Sequence, residues 1–215
     1  MPFCGIPKNA SGMIAPEDYQ TVDDPIAWTC VRDPLGRWFD GIFNDYPTWD
    51  KRDPIIRKIN RSTEPWAIQE QLNAMHKDHL ESQWSILSQQ YKWEEIELWP
   101  IADFDRARRE NGARWSRFVR DNPSGEPWFM SATRLEQIKD FAARIHPRDQ
   151  FIVEWRKVYD RDCRMWHRVN AHYEQTNEPL IMTRRDFQSR SSWPQSPETH
   201  WDQIEQMWSH LQYQD

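Results

Sequence analysis

The chain has only three cysteines, Cys4, Cys30 and Cys163, so widely spread that no CxxC pair exists. That spacing argues against a thiolate zinc site or a dithiol redox motif, and the thiols are expected to be reduced and mostly buried. Excess positive charge is missing too: 34 acidic residues against 28 basic ones give a net charge of −6. General nucleic-acid binding depends on surplus Lys and Arg to displace counterions, so no nucleic-acid partner is expected, and any anionic ligand must be held by a local positive site. No apolar window approaches the roughly 18 residues of a membrane span, and no charged segment followed by an apolar one opens the sequence. A cytoplasmic protein without a membrane partner is expected. The usual nucleotide phosphate loop, GxxxxGK[ST], is also absent, which disfavours an ordinary ATPase or GTPase.

What is present is a long polar chain with many large rings. Its 215 residues suit one domain, 1–215, and its 14 tryptophans in a sequence of mean hydropathy −0.98 imply that a few rings supply much of the buried area. "PFCGI" (2–6) and "IAWTCV" (26–31) are short apolar runs ended by loop residues and followed by helix candidates, the order of an α/β fold with parallel strands. "IELWPI" (96–101) is a third candidate strand. Residues 102–122 then read as helix despite Gly112, as do "SATRLEQIKDFAARI" and, most strongly, 149–169. In that last stretch Phe151, Trp155, Val158, Tyr159, Asp162, Trp166 and Val169 recur at helical spacing, predicting one buried face. From about 175 to 199 the polar, Pro- and Ser-containing sequence reads as an extended connection to a terminal helix at 200–212.

Two strand-to-helix loops stand out. In "CGIPKNASGMI" (4–14), Lys8 follows a strand and precedes small residues whose backbone N–H groups would favour an anion. In "VRDPLGRWFDG" (31–41), Asp33 is expected to cap a helix, with Pro34 in its first position and Arg37 paired to Asp33. Those roles leave Arg32 over, at the carboxyl end of a strand, where ligands bind in open α/β sheets.

"IPKNASGMI" resembles the loop that grips the phosphosulfate end of the donor in sulfotransferases, and "CVRDPLGRWFDGIF" resembles that family's second motif. The similarity is nearer to the carbohydrate type and its small relatives in bacteria and bacterial viruses. Two further segments follow in order: "HLESQWSIL" (79–87), similar to a His-x-x-x-Gln segment, and "VYDRDCRMWHRV" (158–169), similar to a Tyr-x-x-Asp helix pattern. The resemblance runs from about residue 3 to 170. It implies a P-loop-like α/β fold with a small central parallel sheet and a largely helical C-terminal half. It also implies transfer of a sulfuryl group from 3′-phosphoadenosine 5′-phosphosulfate to a hydroxyl acceptor such as a carbohydrate, without a metal. By that resemblance Pro7 and Lys8 open the donor loop, and Lys8 contacts the oxygen linking phosphate to sulfate. The amides of Asn9, Ala10, Ser11 and Gly12, with the Ser11 hydroxyl, hold the 5′-phosphate, and Arg32 binds the 3′-phosphate.

The sequence departs from the family pattern at three points. Asp40 stands where a Ser beside the 3′-phosphate is usual, and Gly12 where Ser or Thr is more frequent. Only twenty residues separate Ser11 from Arg32, so the segment that often carries the general base is shortened. His79 is the first candidate for that base, with His76 and Glu17 behind it. Two other expectations stand beside a sulfotransferase: another nucleotide-phosphate transferase on the same scaffold, and a non-catalytic descendant that binds.

Overall fold

The computed structural model describes residues 1–6, 9, 11–20, 25–34, 36–38, 81–117 and 148–189, of which 11 and 148–157 are described by their backbone alone. The chain divides into two compact units, one comprising Met1–Arg37, Ser82–Glu126 and Arg161–Ser196, the other Trp38–Glu81, Pro127–Asp160 and Pro197–Asp215. The sheet and the candidate site belong to the first unit.

That unit is an α/β structure around a small mixed sheet. Strand β1 (Ile26–Val31) and strand β2 (Glu95–Pro100) pair in parallel, with Ala27 opposite Ile96 and Val31 opposite Pro100. Strand β3 (Leu180–Thr183) lies on the far side of β2 and runs antiparallel to it, with Leu98 opposite Leu180. The all-parallel sheet expected from the strand–helix order is therefore corrected to a mixed one. The extended connection expected over 175–199 is corrected too, since β3 and helix α4 (Arg184–Gln188) occupy its first half. The third strand follows a tight reversal. Helix α3 (Arg148–Thr176) ends at Asn177 in the left-handed conformation, Pro179 prevents continuation, and the next four residues add to the sheet.

The first apolar run, "PFCGI", pairs with β1 without forming a regular strand. Cys4 N–H donates to the Trp28 carbonyl at 2.8 Å, Trp28 N–H donates to the Pro2 carbonyl at 3.0 Å, and Phe3 forms isolated parallel bridges to Trp28 and Tyr19. Pro2 has no N–H to extend the ladder at one end, and at the other the Cys4 carbonyl accepts from the Thr29 hydroxyl at 2.7 Å. The direction is nonetheless the one anticipated, so the segment delivers Asn9, which bonds Cys30 O, to the carboxyl end of β1.

Alternation along the strands divides the core between the two faces. Ala27, Val31, Ile96, Leu98, Leu180 and Met182 face one cluster, completed by Ile86 and Leu87 of helix α1 (Gln83–Gln89) and by Met165 and Val169 of α3. Trp28, Cys30 and Trp99 face the other, completed by Phe3, Ile14 and by Phe104 and Ala107 of helix α2 (Phe104–Glu110). Trp28, Trp93 and Trp99 are all buried, as expected of rings that carry the core. On α3, Tyr159, Asp162 and Val169 are buried, whereas Val158, expected on the same stripe, is 47% exposed.

Helix α2 stops earlier than expected. Gly112 takes φ +66°, its N–H donates to Arg109 O at 3.1 Å, and Ala113 N–H donates to Arg108 O at 2.9 Å. This is a Schellman closure, in which Gly adopts the left-handed conformation without a Cβ clash. The chain that emerges then supports the first loop. Ala15 N–H donates to Arg114 O at 2.9 Å, and Ser116 N–H donates to Met13 O at 2.8 Å.

Candidate functional site

The loop after "PFCGI" is anchored at both ends. On one side Asn9, fully buried, donates its N–H to Ile6 O at 3.0 Å and its side-chain Nδ2 to Cys30 O at 2.8 Å. On the other side Ile14 forms an antiparallel bridge to Trp115. Between these anchors Ser11–Met13 makes one turn of 3₁₀ helix, and Gly12 is exposed. A Cβ built on Gly12 meets nothing within 4 Å, so the crest of the loop borders open space. The Ser or Thr usual in the resembling motif is therefore sterically admissible at this position. Asn9 takes a different part from the one the resemblance gives it: its N–H and its Nδ2 are both spent inside the protein.

Arg32 follows directly on β1. Its backbone is held at both polar atoms by the side chain of Gln83: Arg32 N–H donates to Oε1 at 3.1 Å, and Nε2 donates to Arg32 O at 2.9 Å. The same Oε1 accepts from Asn9 Nδ2. One buried amide thus joins the first loop to the end of β1, with Cys30 O as the second acceptor of Asn9 Nδ2. Asp33 and Pro34 take the capping places expected of them. The backbone is helical at Pro34 and from Gly36 to Trp38, Gly36 N–H donates to Asp33 Oδ2 at 2.7 Å, and Arg37 N–H donates to Asp33 O at 3.0 Å.

Gly36 has a steric reason to be there. An added Cβ would lie 2.8 Å from Asp33 Oδ2 and 3.8 Å from Arg32 Nη2. Gly36→Ala must therefore displace the carboxylate that caps the helix, and should cost about 1 kcal/mol, the typical value of a lost N-cap. Gly12→Ala, with a φ outside the left-handed region and open space around it, should be neutral or slightly stabilising. Urea denaturation of the two variants checks the contrast; equal midpoints would remove the capping argument.

Gln83 is itself held from α3. Asp162, fully buried, accepts from Ser82 Oγ at 2.7 Å, Gln83 N–H at 2.8 Å and Trp84 N–H at 2.9 Å, so it caps the start of α1 together with the Ser82 hydroxyl. Burial pushes the Asp162 carboxyl above the ordinary aspartate range; the Trp84 N–H, the nearby charge of buried Arg37, the Ser82 hydroxyl and the Gln83 N–H oppose that rise. Gln83 and Asp162 were not singled out in the sequence as site residues. Their signal was their place in the His-x-x-x-Gln and Tyr-x-x-Asp segments.

Of the other expected site residues, Pro7, Lys8, Ala10, Asp40, His76 and His79 lie outside the described residues. Ser11 is placed by its backbone only. Glu17 sits on the Pro16–Asp18 turn, beside the amino end of the Phe3 segment, where Arg114 lies 3.9 Å from its carboxylate. It is not part of the Asn9–Gln83–Arg32 group. Cys4 and Cys30 are free and buried, and burial pushes both thiols far up, which disfavours thiolate chemistry. Among the described residues no group of three His, Cys, Asp or Glu is placed to hold a metal, and no helix is long and apolar enough to cross a membrane.

The first-loop and Arg-Asp-Pro segments thus meet at the carboxyl end of β1, joined by the Gln83 segment and braced by the Asp162 segment. Neither a family model, nor a curated protein, nor a solved structure matches this chain.

Proposed function

We propose that this chain is a sulfotransferase that moves the sulfuryl group of 3′-phosphoadenosine 5′-phosphosulfate to a hydroxyl acceptor. The observation that carries the reading is the joining of Asn9 and Arg32 through one Gln83 side chain at the carboxyl end of β1. Segments that resemble sulfotransferase motifs are far apart in sequence, and their meeting there supports a common ligand, because this is the end of an α/β sheet at which ligands bind.

The reaction needs two kinds of group. As the acceptor oxygen attacks sulfur, the bond from sulfur to the bridging oxygen of the 5′-phosphate breaks. Its electron pair leaves on adenosine 3′,5′-bisphosphate, and the acceptor proton passes to a base. Donors aimed in advance at the departing phosphate lower the barrier, since they bind the developing charge more tightly than the ground state. In this reading Lys8 and the backbone of Ser11 and Gly12 supply those donors, Arg32 holds the 3′-phosphate, and His79 takes the proton.

Arg32 makes the sharpest test. The protein should bind adenosine 3′,5′-bisphosphate more tightly than AMP, and Arg32→Ala should erase most of the difference. A charge-assisted contact is worth about 1.5–3 kcal/mol, so the preference should be roughly ten- to a hundredfold. Equal binding of both nucleotides by the unmodified protein in titration calorimetry would overturn the reading.

A further inference from the structure

Gln83 lies completely buried at the first position of α1, yet its side chain does not serve that helix. Oε1 accepts from Arg32 N–H and from Asn9 Nδ2, and Nε2 donates to Arg32 O. Its own N–H is held by Asp162 Oδ2 at 2.8 Å, so the amide is fixed from behind as well as in front. Glutamine suits this place because the two bonds to Arg32 run in opposite directions. A carboxylate offers no donor to the Arg32 carbonyl, and a thioether of similar length offers neither partner.

We infer that Gln83 is a positioning residue: it fixes Asn9 of the first loop against the Arg32 end of β1, and thereby the preference for a nucleotide phosphorylated at both 5′ and 3′ positions. The inference rests on the sulfotransferase reading for its ligand, and on the bonds alone for the coupling of the two segments. A ligand that spans two anion-binding elements is sensitive to their spacing, because charge-assisted hydrogen bonds at both ends form together only when each donor lies within hydrogen-bond distance. The span here is set by Gln83, bonded to both elements, together with the direct bond from Asn9 Nδ2 to Cys30 O.

The test compares Gln83→Met with Val169→Ala, a core truncation on α3 that lowers stability and removes none of the Gln83 or Asn9 hydrogen bonds. Asn9→Ala, which removes the loop's bond to Gln83 along with its bond to Cys30 O and leaves Gln83 on Arg32, serves as a second variant where Gln83→Met does not fold. Calorimetry with adenosine 3′,5′-bisphosphate and with AMP gives the affinity ratio, and backbone amide exchange is followed at Asn9, whose N–H bonds to Ile6 O and not to Gln83. The ratio should fall about tenfold or more in Gln83→Met and in Asn9→Ala, as loss of a buried hydrogen bond allows, and stay at the unmodified value in Val169→Ala. The Asn9 amide should exchange faster in Gln83→Met than in Val169→Ala at matched stability. An unchanged ratio in both clamp variants overturns the inference. If the unmodified protein shows no preference, the sulfotransferase reading fails by itself; faster exchange at Asn9 in Gln83→Met then still supports the coupling, and unchanged exchange overturns it.

Discussion

Alanine at Lys8 should lower turnover at saturating donor by about a hundredfold or more and leave the melting temperature within a degree or so of the parent. The first half follows from the chemistry. An ammonium beside the oxygen that leaves sulfur stabilises charge that exists only as the bond breaks, so its loss acts on the rate. The second half follows from the structure on either side of Lys8. Ile6 is buried in the core cluster against α1 and α3, Asn9 is buried and bonded to Cys30 O, and Asn9 N–H closes back onto Ile6 O at 3.0 Å. Those anchors use backbone atoms and the Asn9 amide, none of which the substitution changes. Single-turnover sulfuryl transfer and differential scanning fluorimetry on the same preparation separate the two effects. Unchanged turnover removes the loop from the mechanism, and a fall in melting temperature of many degrees makes Lys8 a structural residue.

How much of this arrangement the sequence disclosed depends on how local each signal was. β1 was legible to the residue as "IAWTCV", because a β-branched and aromatic run bounded by turn residues carries its own pattern. β2 was legible to within a residue for the same reason. β3 was not: "LIMT" is four residues long inside a polar stretch, and its strand character comes from pairing with β2, more than eighty positions earlier. The overlong reading of α2 has a local cause. In sequence Gly112 reads as a tolerated interruption; in the fold it is the left-handed residue that ends the helix. In the site, Arg32 was legible from its place after a strand, and Asp33 and Pro34 from capping chemistry. The amide of Gln83 was not, since its partners stand 51 and 74 positions away. Asp162 was read as one member of a helical stripe of large side chains, and only the fold turns it toward the start of α1.

Asp162→Ala is expected to be the most destabilising single substitution in the sheet-bearing unit, at about 3–5 kcal/mol. The carboxylate accepts three hydrogen bonds in a fully buried position, from Ser82 Oγ, Gln83 N–H and Trp84 N–H, and the charge of Arg37 lies close enough to favour its ionised form. Alanine leaves two backbone donors and a hydroxyl without that acceptor, and each unsatisfied buried group costs about 1–3 kcal/mol, with the sum reduced by relaxation. Against a total stability of about 5–15 kcal/mol for a domain, such a loss brings the unit near unfolding. Asp162→Asn should cost less, because one carbonyl oxygen remains to accept, and it allows the pH dependence to be read. Because burial raises the folded-state carboxyl above its unfolded value, the folded protein binds that proton more tightly. The contribution of Asp162 is therefore fully present below the ordinary aspartate range and declines as pH rises through the raised value. The difference in urea midpoint between the parent and Asp162→Asn should therefore shrink from acid to neutral pH, the other titrating groups being common to both proteins. A loss below about 1 kcal/mol in Asp162→Ala would mean that α1, and with it Gln83, is held in place by the apolar contacts of Ile86 and Leu87 and not by the carboxylate.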